Sequence, residues 1–169
     1  VSVSVPMTLK RPMVWDTSHY EADAFYERSA SDPPILVITK LTEDDYFIDA
    51  TAGLHVEGAR SIGAKVGVYH FLRYNDIQGQ VDHFLENAEL VGALQNGQWL
   101  FDVPPILDVE IEPTNSSDPQ GTSFANQVKT WLDLVEAATS SKPWIYTSAN
   151  YWKQTFDKNG NPPSWTSQY

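Results

Sequence analysis

Three acidic residues raise the question of chemistry. "PPILDVEIEP" (104–113) sets an apolar residue beside an acid twice, Leu107-Asp108 and then Val109-Glu110. Side chains alternate along an extended chain, so Asp108 and Glu110 share one side and Leu107, Val109 and Ile111 the other. "MVWDTSHY" (13–20) ends a short apolar run on a third acid, Asp16. Each has a structural alternative. The acidic run suits an edge strand with one wet face, and Asp16 suits a helix N-cap, with Thr17 and Ser18 as rivals. Brought together, such carboxylates suit glycoside hydrolysis. That reaction needs one carboxyl that keeps a proton for the leaving oxygen and another negative group near the oxocarbenium-like centre. Crowding supplies the difference, because like charges in one pocket raise the pKa of the most disfavoured member. Residues two apart on a strand have Cα atoms roughly 6.5–7 Å apart. Side-chain direction shifts the carboxyl spacing either way, so the stereochemical outcome stays open.

The elements that must hold these acids are legible as alternation. Short runs rich in Val, Ile and aromatics occur at 13–16, 35–40, 66–71, 106–111 and 144–148, each bounded by Gly, Pro, Ser or Asp. Between them lie helical segments. Residues 47–62 carry Phe47, Ile48, Leu54 and Ile62 with Gly63 as a stop, and 77–94 carry Ile77, Val81, Phe84, Leu85, Ala88 and Val91 at helical spacing. Residues 123–138 follow a candidate cap at Ser123, and a short helix covers 149–156. Pro33-Pro34 and Pro104-Pro105 fix an extended entry to two of the strands. Strands alternating with helices predict an α/β fold with a parallel sheet, open or closed into a barrel. In such folds the C-terminal strand ends carry the active site, which is where all three acids fall.

Bulk properties narrow the partners. The chain has 169 residues, 41% hydrophobic and 20% charged, enough for one buried core and one expected domain. A net charge of −11 lacks the footprint of a nucleic-acid binder and is repelled by anionic membranes. No apolar stretch approaches a membrane span, and the chain is expected to be a monomer. No basic-then-apolar leader opens it, the pattern of a mature chain or of one made without a leader. With no cysteine, disulfides, thiolate metal sites and a Cys nucleophile are excluded together. His19, His55, His70 and His83 do not pair at metal-ligand spacing, and His70 reads as a buried, hydrogen-bonded residue beside the site. Asn115-Ser116-Ser117 forms an N-glycosylation tripeptide of low specificity. No nucleophile elbow, phosphate loop or dinucleotide fingerprint is present.

In order along the chain, "VWDTSHY", "VITKLTED", "GAKVGVYHFLR", "PPILDVEIE", "VKTWLDLVEAATSSKPWIYTSANYW" and "SWTSQY" resemble the family 25 glycoside hydrolases, the Chalaropsis-type lysozymes that include many phage endolysins. The resemblance covers nearly the whole chain. It implies a flattened, irregular TIM-like β/α barrel. It implies cleavage of the β-1,4 bond between N-acetylmuramic acid and N-acetylglucosamine in cell-wall peptidoglycan, without metal or cofactor, by a protein that is extracellular or phage-encoded. By motif, Glu110 is the general acid, Asp108 positions or stabilises the substrate's N-acetyl group or developing charge, and Asp16 is the acid of the first strand. Tyr69, Tyr146 and Phe71 are implied at the barrel mouth, with core packing as their alternative and the favoured one for Phe71. Lys40 is implied as a partner of the acids, with a structural role equally open.

Two departures from the family stand out. Asp44 occupies a position where relatives usually have Gly. The chain also stops at "PPSWTSQY", where relatives continue into final strands that carry a further acid of the site. The expectation is a single catalytic domain over 1–169 that lacks the family's C-terminal strands, with weak or absent activity on its own. Two rivals remain: a barrel that binds glycan without cutting it, or an inactive fragment of a longer lysozyme. A third, an unrelated α/β barrel enzyme, requires that the acids fail to converge.

Overall fold

The computed structural model describes residues 12–21, 26, 32–74, 76–111, 121–157 and 162–169. Its main sheet is built from β1 (Val14–Thr17), β2 (Leu36–Glu43), β3 (Phe47–Ile48), β4 (Lys65–Phe71), β7 (Ile106–Asp108) and β8 (Trp144–Tyr146). The order is β1-β2-β4-β7-β8, with every neighbouring pair parallel and β3 added antiparallel to β2. A separate hairpin joins β5 (Leu94–Gln95) to β6 (Gln98–Trp99). The helices are α1 (Ala52–Ser61), α2 (Ile77–Leu90), α3 (Thr122–Thr139) and α4 (Ala149–Thr155), followed by a 3₁₀ turn at Ser164–Gln168.

Alternation along the strands separates two faces. Val37 and Leu41, then Val66, Val68 and Leu72, then Leu107, Val109 and Ile111 enter the main core with Phe84, Ala88, Phe124, Val128, Leu132 and Val135 of α2 and α3. The other face carries Asp16, Lys40, Tyr69 and Asp108. Among the described residues β1 and β8 are the two free edges of this sheet.

The inner face also contains a polar tie. His70, on β4, is fully buried and bonds Thr42 Oγ1 at 2.8 Å and Gln80 Oε1 at 3.1 Å. Gln80, on α2, also accepts from the Arg73 amide and donates to the Arg73 carbonyl. One amide side chain therefore docks α2 on β4 and fixes the segment that leaves β4 toward the site. Burial holds the His70 pKa down at about 4, so the ring is neutral and structural, as the sequence suggested. Trp131 of α3 stacks on it at 5.6 Å and meets Phe84 at 5.3 Å. Trp131 is fully buried. Replacing it with Ala should cost about 3–5 kcal/mol. Chemical denaturation measures this, and a loss under about 1 kcal/mol would mean that the aromatic stack contributes little.

Four expectations need correction. First, residues 47–62 do not form one helix. Asp44 turns the chain with φ +57, so Phe47–Ile48 pairs back on Thr42–Glu43. Asp49 then accepts from the amide and hydroxyl of Thr51, and the helix begins at Ala52. The left-handed geometry explains why a glycine suits position 44; Asp tolerates it better than most residues. Second, the acidic strand is shorter than 106–111: pairing ends at Asp108, although the alternation continues to Ile111. Third, Ser123 is not the cap of α3. Gly121 is, with φ +54, and its carbonyl accepts from Ala125 N. Fourth, α2 ends at Leu90, four residues short of the expected 94. Asp16 lies within β1, so it is not a helix cap. The Asn115 tripeptide lies outside the described residues.

Candidate active site

The C-terminal ends of four parallel strands converge on one cleft of about 260 Å³. Asp16 reaches it from β1, Tyr69 from β4, Asp108 from β7 and Tyr146 from β8, over apolar walls that include Ile38, Ile106 and Trp144. Register explains the meeting: Phe71 of β4 pairs with Asp108, and Asp108 with Tyr146. Four of the seven residues singled out in the sequence therefore line a single cavity.

Asp108 sits deepest. It is 8% exposed, and its Oδ1 is buried with no hydrogen-bond partner among the described residues. A buried acceptor left open costs roughly 1–3 kcal/mol, which a site recovers when substrate supplies the donor. Burial first, then the charges of Glu110 and Asp16, push the Asp108 carboxyl up to about 7, against the partial relief of Lys40. Asp16, on the exposed edge strand, is raised by partial burial of its carboxyl and then by Glu21 and Glu110; a hydrogen bond from Tyr69 and the charge of Lys40 oppose the rise. Glu110 does not line the cleft itself. It is half-buried two residues beyond β7, and its charge is the leading cause of the raised Tyr146 hydroxyl. Tyr69 is held protonated by burial, then by Asp16 and Asp108. The three acids thus share one electrostatic field.

Lys40 and Phe71 are not among the residues that line the cleft, and Phe71 packs against the core. The ammonium of Lys40 bonds Glu43, not Asp108 or Asp16, and lies 4.9 Å from the centre of the Phe71 ring. The Arg73 guanidinium also bonds Glu43 and sits 4.7 Å from the same ring. Phe71 is therefore contacted by two cations, and Glu43 is the carboxylate that holds both. Burial alone would raise Glu43; Lys40 and Arg73 outweigh it and keep it below the usual carboxylate range. Sequence reasoning missed Glu43 and Arg73. A register shift between Lys40 and Thr42 brings Thr42 opposite His70 and Glu43 opposite Phe71. Strict alternation would have turned Glu43 away from the site, and no residue in "TKLTED" signals the irregularity.

The sequence description of glycosyl hydrolases family 25 matches residues 15–169. The chain belongs to this family. It is 26% identical over 135 residues to the autolytic lysozyme of Clostridium acetobutylicum, covering 79% of this chain and 38% of that protein. It is 26% identical over 148 residues to the N,O-diacetylmuramidase of Arthroderma benhamiae, covering 82% and 58% respectively. Among solved structures it superposes on the muramidase from Trichobolus zukalii with a TM-score of 0.68 at 27% identity, covering 82% of this chain and 66% of that one. The family 25 chain therefore spans less than two thirds of each of the two sequence relatives. Its fold follows the family's irregular β/α barrel, seen among the described residues as an open, mostly parallel sheet with Asp16 of β1 and Asp108 of β7 in the cleft.

Proposed function

We propose that this family 25 chain is a peptidoglycan hydrolase, an N-acetylmuramidase that cuts the β-1,4 bond between N-acetylmuramic acid and N-acetylglucosamine. One observation carries the reading. Asp108, buried and with an unpartnered oxygen, opens into a cleft shared with Asp16, Tyr69 and Tyr146 and lies in the field of Glu110. Glu110 donates the proton to the leaving oxygen from its half-buried place at the mouth. Asp108 holds the substrate's N-acetyl group or the developing positive charge, and Asp16, bonded by Tyr69, completes the acidic wall. Tyr146, 54% exposed, offers a ring face to the sugars. A second assignment exchanges the first two roles: the raised pKa of Asp108 suits a proton donor. The names of the relatives, lysozyme and muramidase, support the substrate class. The protein acts as a monomer on the bacterial wall, outside the cell that makes it or as a phage product.

Because β1 and β8 are free edges among the described residues, the cleft is open along one side. A cleft open on this side is expected to cut slowly. Incubation with purified cell walls should release soluble reducing sugar at a low rate. Walls that bind the protein but yield no sugar would instead support a glycan-binding barrel, and a rate equal to that of a family member with a closed cleft would contradict the open-cleft reading.

A further inference from the structure

A row of rings and cations begins at the turn that leaves the C-terminal end of β1. Tyr20 packs on His19 at 4.0 Å between centroids, and His19 meets Phe47 at 5.5 Å. Lys40 follows, 5.3 Å from the Phe47 ring and 4.9 Å from Phe71. The inner members of this row are occupied by one another. Tyr20, the outer end, is 83% exposed.

The turn that presents Tyr20 is anchored from below. Asp49 is buried, and its Oδ2 accepts from the His19 amide and bonds the ring Nδ1, both at 2.9 Å. The carbonyl of Ser18 accepts from buried His55 at 3.0 Å. The Glu21 carboxylate closes the turn on the amide and hydroxyl of Ser18. An exposed aromatic on a mobile loop would lose much of its contact energy to ordering; this one is backed by an anchored ring, and that loss is reduced. The turn also belongs to the site. It follows directly on β1, and the charges of Glu21 and Asp49 act on the Tyr69 hydroxyl of the cleft. With Glu21 and Asp49 beside it, the ring is poorly placed for a carboxylate and well placed for the apolar C–H face of a neutral sugar.

We propose that Tyr20, backed by His19, is a stacking position for a neutral amino-sugar ring of the glycan strand, beyond the two sugars that flank the bond to be cut. The inference rests on the hydrolase reading and extends its site along the β1 side of the mouth. Its consequence is a preference for longer glycan that no residue of the acidic cluster supplies.

The test is a binding titration, by NMR or calorimetry, of peptidoglycan-derived disaccharide and tetrasaccharide against the Glu110→Gln chain, which is expected to turn them over about 10²–10⁴-fold more slowly. Tyr20→Ala in that background should weaken the tetrasaccharide by about 3–10-fold, the scale of one aromatic stacking contact, and leave the disaccharide unchanged. Tyr20→Trp should restore the tetrasaccharide affinity. An unchanged ratio of the two affinities in Tyr20→Ala overturns the proposal, as does an equal loss for both ligands. Failure of the Glu110→Gln chain with Tyr20 intact to bind either saccharide would instead sink the hydrolase reading, and the stacking position with it.

Discussion

Replacing Glu110 by Gln should slow glycan cleavage by about 10²–10⁴-fold, the range that a positioned proton donor contributes. Affinity for uncut glycan should change by less than about threefold, because the amide keeps the shape of the carboxyl and the loss falls on the transition state. Glu110 stands half-buried beside the raised hydroxyl of Tyr146, outside the core and outside the ion cluster on Phe71. The substitution therefore has no route to unfolding the barrel, and a drop in rate reads on chemistry. It also relieves Asp108, whose carboxyl is raised first by burial and next by Glu110. Side-by-side rates on one wall preparation, normalised to bound protein, check this. A rate within about tenfold of the unsubstituted chain would move the proton-donor role to Asp108.

With Asp108 as the proton donor, the second assignment, the pH profile should fall on the alkaline side from about pH 7, by roughly tenfold per unit. The cause is the proton that Asp108 keeps to about 7 through its burial and through the charges of Glu110 and Asp16. Above it Asp108 is a carboxylate and has no proton to give. Asp108→Asn should abolish or displace that limb while lowering the rate at pH 5. The same shift predicts a stability effect. A carboxyl whose folded pKa is raised retains its proton where the unfolded chain has lost it, so its contribution to stability falls as pH rises from about 4 to about 7. Denaturation curves at pH 4 and pH 7 should show Asp108→Asn gaining on the parent chain at the higher pH. A profile flat from pH 6 to 9 for the unsubstituted chain would rule out Asp108 as the donor and leave that role with Glu110.

The parallel strands were legible because each is a short β-branched run closed by a turn residue, and the α/β order follows from their alternation with helices. Asp16 and Asp108 were found because each stands near the C-terminal end of its run, and Tyr69 and Tyr146 because the family resemblance implied them. The misses share a cause: local backbone geometry that residue type alone does not announce. Phe47 and Ile48 carry apolar side chains that suit a helix, yet the left-handed turn at Asp44 turns them back on β2. The register shift after Lys40 places Glu43 on the site face against simple alternation. The β5–β6 hairpin did carry a signal. Asn96-Gly97 has positive φ at both residues, 51° and 73°, the turn such a pair favours between short strands. Two-residue strands were too short to stand out beside it. The Tyr20 turn depends on Asp49, 30 residues away in sequence, and no local pattern could reveal that bond.

The central claim is that the acids on β1 and β7 make this barrel mouth a muramidase. The most direct measurement is the identity of the sugar at the new reducing ends after digestion of purified peptidoglycan, read by borohydride reduction and mass spectrometry of the soluble fragments. Reduced N-acetylmuramic acid, absent from a parallel digest with Glu110→Gln, is the predicted result. Reduced N-acetylglucosamine, or equal release by the two proteins, would contradict it.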